Sequence, residues 1–113
     1  MLIYISGPYS HGDHLENVNK AVDVADQIAK AGHTCFIPHL YRYWNERHEH
    51  DYDFWMRQDL AMLSRCDSLV RLPGDSPGAD KEVDEARRLG LEVYNWSSDG
   101  KYPKDNPSHL PII

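Results

Sequence analysis

Cysteine is scarce in this chain: Cys35 and Cys66 are its only two among 113 residues, and they lack a C-x-x-C spacing. A disulfide framework is thereby excluded, and each thiol reads as a small apolar side chain in a reducing compartment. Long apolar runs are missing too. Nothing approaches the roughly 20 residues that cross a bilayer, and Met1-Leu2-Ile3-Tyr4-Ile5 carries no basic flank before its short apolar stretch. A cytoplasmic location without membrane association is expected. Basic residues are outnumbered, 12 Lys and Arg against 18 Asp and Glu, for a formal net charge of −6. Binders of nucleic acid polymers gain affinity from clustered cations on phosphates, so that class is excluded and a small substrate is expected. A local anion site stays open, because backbone N–H groups hold phosphate without net basic charge.

What is present fits one globular domain: hydrophobic residues make up 41% and charged residues 27%, close to ordinary soluble composition, and the length leaves no room for two cores. Leu2 to Ser6 is a short apolar, β-branched run stopped by Gly7-Pro8, a buried strand and a tight loop. From Asp13 to Ala31, Leu15, Val18, Val22, Ala25, Ile28 and Ala29 recur at three- and four-residue steps, which makes one apolar face of a helix closed by Gly32. His33 to Ile37 reads as a second strand. Tyr41 to Asp53 is polar and aromatic without periodicity, and reads as a long loop or a loop with one helical turn. A second helix from Phe54 to Arg65 turns Trp55, Leu60 and Leu63 inward. A third strand from Asp67 to Leu72 leads through the turn-rich Pro73 to Pro77 into a third helix, Ala79 to Leu89, capped by Gly90. Leu91 to Trp96 is a fourth strand.

This alternation implies a parallel sheet with right-handed crossovers and helices on both faces. The expected architecture is a flavodoxin- or Rossmann-like three-layer α/β/α sandwich with four to five strands over residues 1–96. Residues 97–113, with three prolines, form an irregular tail placed to pack against a neighbour. Ligands of such sheets bind beyond the carboxyl ends of the strands, where strand order reverses. That edge gathers Ser6, Gly7, Pro8 and Tyr9 with His39 and with the segment from Gly74 to Glu82. Gly7 and Gly78 end strands or precede a helix, where a missing side chain allows a turn or close approach of a ligand. Glu82 falls near the positive end of the third helix, which favours its ionised form. An ionised carboxylate suits attack on an anomeric carbon, or stabilisation of an oxocarbenium-like transition state. Acidic residues also favour helix starts for stability alone, and Asp80, Asp84 and Glu85 compete for the role.

The opening Ile3-Tyr4-Ile5-Ser6-Gly7-Pro8-Tyr9, the pair Asp59-Leu60 followed by Cys66-Asp67 and an apolar strand, and the block Ser76-x-Gly78-x-x-x-Glu82-Val83-x-x-Ala86 with Gly90 after it together resemble the nucleoside 2-deoxyribosyltransferase family from Met1 to about Trp96. The resemblance implies that Glu82 is the nucleophile and that Asp59 is a polar group near the sugar or base. Where the transferase branch commonly has Asp, this chain has Ser76, which resembles the branch that hydrolyses nucleoside 5′-monophosphates. A hydroxyl beside a helix start can donate to phosphate, whereas an ionised Asp repels it. The Ser-Gly-Pro-Tyr opening and the Leu-Pro-Gly turn are also similar to small bacterial and phage members of this superfamily whose activity is uncharacterised.

His39, at the active edge, is expected to contact base or sugar. Tyr41, Tyr43, Trp44, Tyr52 and Trp55 are available to stack on a base or to pack a core or dimer interface. Arg42 and Arg47 are the better phosphate candidates, with Lys81, Arg87 and Arg88 as solvated charges. His39, His48, Glu49, His50, Asp51 and Asp53 form no closed tetrahedral set, so no metal is expected, and the resemblance requires no other cofactor. The leading expectation is cleavage or transfer of the N-glycosidic bond of a nucleoside or nucleoside 5′-monophosphate. The resemblance further implies a homo-oligomer with sites completed near subunit contacts. The alternatives are a nucleotide-binding or sensing module without turnover, and a scaffold with a vestigial pocket.

Overall fold

The computed structural model describes residues 1–10 and 12–97 of the chain. Nine elements follow one another in these residues: β1 (Leu2–Ser6), α1 (His14–Lys30), β2 (Thr34–Phe36), a 3-10 turn (Pro38–Tyr41), α2 (Arg42–Arg47), α3 (Tyr52–Leu63), β3 (Ser68–Arg71), α4 (Pro77–Arg88) and β4 (Glu92–Asn95). The four strands form one parallel sheet in the order β2-β1-β3-β4, as in flavodoxin-like doubly wound folds. The expected sandwich is what the chain builds.

Strand alternation decides what each face holds. Ile3 and Ile5 of β1, with Val70 and Leu72, pack against Ala21, Val24, Ala25 and Ile28 of α1. Tyr4 and Leu69 point the other way, into a cluster with Leu63 of α3 and Ala86 of α4. Ile3, Ile5, Ile28, Leu63 and Leu69 are fully buried, each contributing on the order of 1.5–3 kcal/mol of apolar burial. Since Ser6 lies two residues beyond Tyr4, both project toward α4, and this parity positions the site.

Capping fixes the helix starts more sharply than periodicity does. Asp13 Oδ1 accepts from Glu16 N at 3.0 Å, Asp51 Oδ1 from Phe54 N at 2.9 Å and Ser76 Oγ from Ala79 N at 3.1 Å, so one orphan N–H in each of these first turns finds a side-chain partner. The second expected helix therefore begins two residues early, at Tyr52, and the third begins at Pro77, where proline's missing N–H costs nothing. At the end of α1 the cap is Ala31, and Gly32 follows it with φ of 101°.

The expected loop from Tyr41 to Asp53 is largely helical. Helix α2 buries none of its residues, so it has no apolar stripe to be read from sequence. An Arg42–Glu46 pair at 2.9 Å, spaced i to i+4, and the side chain of Asn45 hold it instead. Asn45 Oδ1 accepts from Trp55 Nε1 at 2.7 Å and from His50 N at 3.0 Å, which ties α2 to the start of α3. Beyond Ser97 the expected irregular tail lies outside the described residues. No helix among the described residues is long and apolar enough to cross a membrane.

Candidate active site

The loops after β1 and β3 meet at the point where the chain reverses its direction across the sheet. A Cβ on Gly7 would lie 2.8 Å from Leu72 Cβ, and one on Gly74, whose φ is 115°, would lie 2.8 Å from Pro8 Cγ. The missing side chain of Gly7 is therefore a requirement of loop packing rather than of ligand approach. Gly78 differs: a Cβ there meets nothing nearer than Tyr52 Oη at 3.7 Å, so among the described residues no steric reason demands glycine.

Above these loops opens a cavity of about 660 Å³, within the size range of small-molecule sites. Of the residues expected at the site, Gly7, Tyr9, His39, Asp59, Ser76, Gly78 and Glu82 line it. Ser6 and Pro8 do not. Ser6 is fully buried behind Glu82, and the Pro8 carbonyl accepts from His39 Nε2 at 3.1 Å. Tyr41, Tyr52 and Trp55 form aromatic wall, whereas Tyr43 is 68% exposed and Trp44 packs edge-on against Trp55 and Tyr41 outside the lining. Arg42 pairs with Glu46, and among the described residues neither it nor Arg47 lines the cavity, whereas Lys81 does, with its Nζ 5.0 Å over the Tyr52 ring.

Glu82 is 5% exposed. It occupies the sixth position of α4 rather than the first turn, so the helix dipole, which fades within a turn, is not what keeps it charged. Hydroxyls do this instead. Tyr4 Oη donates to Glu82 Oε2 at 2.6 Å and Ser6 Oγ donates to Oε1 at 2.7 Å, short bonds of the charge-assisted kind. Both donors come from β1, on the face that alternation turns toward α4. Sequence reasoning missed Tyr4 as a site residue, although its two-residue spacing from Ser6 was legible.

Asp59, from α3, meets the same carboxylate. Burial, the Glu82 charge and a hydrogen bond with Glu82 push its carboxyl up to about 8. Burial raises Glu82 as well, opposed by the bonds from Tyr4, Ser6 and Asp59 and by the charge of Arg71. A buried carboxyl in contact with a half-buried one disfavours double ionisation at neutral pH, so the pair keeps one proton. The donors assign it: Glu82 accepts from two hydroxyls, while Asp59 Oδ1 is buried with no hydrogen-bond partner among the described residues. Asp59 therefore holds the proton and gives its hydrogen bond to an ionised Glu82.

His39 is 3% exposed, and burial depresses its imidazole to about 4 against the bond to the Pro8 carbonyl. It is neutral, with the proton on Nε2. Ser76 spends its oxygen lone pair on Ala79 N as the cap of α4, which leaves its O–H available as a donor on the cavity wall. The arrangement as a whole offers an ionised carboxylate, an adjacent carboxylic acid, aromatic faces and a cation at the mouth. That set can attack an electrophilic carbon, protonate a leaving group and hold an aromatic ligand.

Two solved structures with a similar backbone carry the name of 2-deoxyribosyltransferases. The 2-deoxyribosyltransferase of the psychrotolerant bacterium Bacillus psychrosaccharolyticus, described as a biocatalyst for nucleoside synthesis, superposes with a TM-score of 0.63 at 25% identity, over 92% of this chain and 77% of its own. The 2-desoxiribosyltransferase from Leishmania mexicana gives a TM-score of 0.63 at 21% identity, over 87% of this chain and 65% of its own, and shares the fold. No curated protein sequence matches the chain. Residues 1–95 match a family described as a domain of unknown function, and the chain belongs to that family, DUF4406.

Proposed function

We propose that this protein cleaves or transfers the N-glycosidic bond of a nucleoside or nucleoside 5′-monophosphate, with Glu82 as nucleophile and Asp59 as the acid and base beside it. One observation carries the reading: a buried carboxylate held by Tyr4 and Ser6 touches a second carboxyl that retains its proton, on the wall of an aromatic cavity. Likeness to a 2-deoxyribosyltransferase over most of both chains supports the same chemistry.

In the first step a Glu82 oxygen bonds to C1′ of the sugar while the C1′–N bond breaks. The electron pair goes to the base nitrogen, and the base takes the proton of Asp59. In the second step a water, or a nitrogen of a second base, attacks C1′ and gives its proton to Asp59, and Glu82 leaves as carboxylate. Tyr4 and Ser6 hold that carboxylate throughout, since each oxygen keeps a further lone pair after accepting one bond. Depressed to about 4, the His39 imidazole stays out of the proton traffic and acts as a neutral wall. A 5′-phosphate fits the side of the cavity where the Ser76 hydroxyl and the Lys81 ammonium lie.

Incubation with a panel of nucleosides and 5′-monophosphates, followed by chromatography for free base, tests the proposal. Base release that disappears in Glu82→Gln is the expected result, and addition of a second base separates transfer from hydrolysis by the appearance of a new nucleoside. Release that persists in Glu82→Gln would refute the assignment. Binding without release, unchanged by the substitution, would favour a sensing module.

A further inference from the structure

Asn45 has one half of its amide already committed. Oδ1 accepts from two groups that can only donate, Trp55 Nε1 at 2.7 Å and the backbone N–H of His50 at 3.0 Å. Those partners fix the amide orientation, because the reversed amide would set N–H against N–H at both contacts. They also use both lone pairs of the oxygen. Asn45 nevertheless lines the cavity, and Nδ2, with its two N–H bonds, donates to no described group. Toward a ligand this residue is a donor and nothing else.

That property separates bases by their edges. An asparagine normally pairs with adenine by accepting from N6–H₂ and donating to N7, which needs both amide atoms. Here the accepting half is closed. A 6-oxopurine presents two acceptors on the corresponding edge, O6 and N7, and these match the two N–H bonds of one Nδ2. A 6-aminopurine in the same pose sets its own N–H against Nδ2 and leaves both donors unpaired where the ligand excludes water, a loss larger than that of a missing favourable contact. Aromatic surface for a bicyclic base is close by: Tyr41 and Trp55, which pack on each other with centroids 5.2 Å apart and a tilt of 33°, both line the cavity.

We propose that Asn45 is a specificity-determining residue that selects 6-oxopurine over 6-aminopurine substrates through its Nδ2 donor. This rests on the nucleoside reading of the same cavity, and the test is arranged so that the two fail separately. Wild-type protein and Asn45→Asp are each given 2′-deoxyinosine and 2′-deoxyadenosine, as nucleosides and as 5′-monophosphates. Base release is followed by chromatography and binding by intrinsic tryptophan fluorescence. Aspartate keeps an acceptor for Trp55 and His50 and replaces the donor with a second acceptor, so the contacts that hold α2 to α3 survive. Each variant is read as the ratio of the two ligands, which cancels any general effect of the added charge.

The expected outcome is a preference of at least about tenfold for the oxo compound in wild type, and its loss or inversion in Asn45→Asp. Asn45→Ala should remove the preference without inverting it. A binding preference of this form without base release would uphold the role of Asn45 and refute the glycosidic chemistry. Equal treatment of the two ligands by wild type, a preference unchanged by both substitutions, or no binding of either ligand would overturn the inference.

Discussion

Replacing Asp59 with asparagine should stabilise this protein while slowing its reaction severely, and the gain should depend on pH in a defined direction. Asp59 titrates near 8 in the folded chain and near 3.9 when unfolded. Between those values the native state holds a proton that the unfolded state has released, so wild-type stability falls as pH rises through that window, by up to about 1.4 kcal/mol per pH unit. Asparagine carries no such penalty, and its N–H₂ can donate to Glu82 in place of the acid proton. Relative to wild type, Asp59→Asn should therefore gain up to about 2.7 kcal/mol between pH 5 and pH 7. For a domain of this size that is a growing melting-temperature difference on the order of 10 °C. Thermal or urea unfolding of both proteins at pH 5, 6 and 7 reads it directly. A difference that stays constant across these pH values, or an asparagine variant less stable than wild type at pH 7, would refute a proton-bearing Asp59. On the same samples base release should drop by about 10²–10⁴-fold, the usual weight of a positioned acid.

Three further outcomes follow from the same contacts. Tyr4→Phe removes one donor from a buried carboxylate, costing on the order of 1–3 kcal/mol; it should also raise the Glu82 carboxyl, so the acid limb of the pH–rate profile moves to higher pH. Wild-type activity should decline as pH rises through about 8, where Asp59 loses its proton, and this alkaline limb should vanish in Asp59→Asn together with the rate. Gly7→Ala places a methyl 2.8 Å from Leu72 Cβ, an atom rooted in the backbone that cannot swing aside, and should lower stability by about 1–3 kcal/mol in denaturant unfolding.

The sheet was legible because its strands are short apolar runs separated by helices with clear spacing, and Ile3, Ile5 and Ile28 sit where those patterns place them. Helix α2 was not. Its residues are neither buried nor periodic, and what holds it, the bonds from Trp55 Nε1 and His50 N to Asn45, joins residues whose pairing no local pattern encodes. The site divides along the same line. Glu82, Ser76 and Gly78 fall in one sequence block at a helix start, so their neighbourhood could be read, but the reason for the charge on Glu82 could not. A dipole argument treats the residue as part of its own helix, whereas Tyr4 and Ser6 reach it from 78 and 76 residues away. Lys81 read as solvated surface from sequence, and only the approach of α3 to the start of α4 turns it over the Tyr52 ring.

The carboxyl pair also separates two causes that act together on Asp59. Burial raises its carboxyl first, and the charge and hydrogen bond of Glu82 add to that. Glu82→Gln removes the charge and leaves the surroundings nearly unchanged, since the amide oxygen can still accept from Tyr4 or Ser6. In that variant the Asp59 carboxyl, followed by carbon-13 NMR titration, should come down from about 8 and yet stay above the ordinary aspartate value of about 3.9, because burial persists. Return to the ordinary value would mean that the site is wetter than the packing of α3 on α4 implies, and Asp59 would then be ionised at neutral pH whenever Glu82 is consumed. The distinction bears on chemistry. Once Glu82 is esterified to a sugar its charge is gone, and an Asp59 held up mainly by that charge would then drop toward ionisation and stand ready to accept the proton of the incoming water or base. An Asp59 held up mainly by burial would resist that change, and release of the sugar from Glu82 would limit turnover below about pH 8.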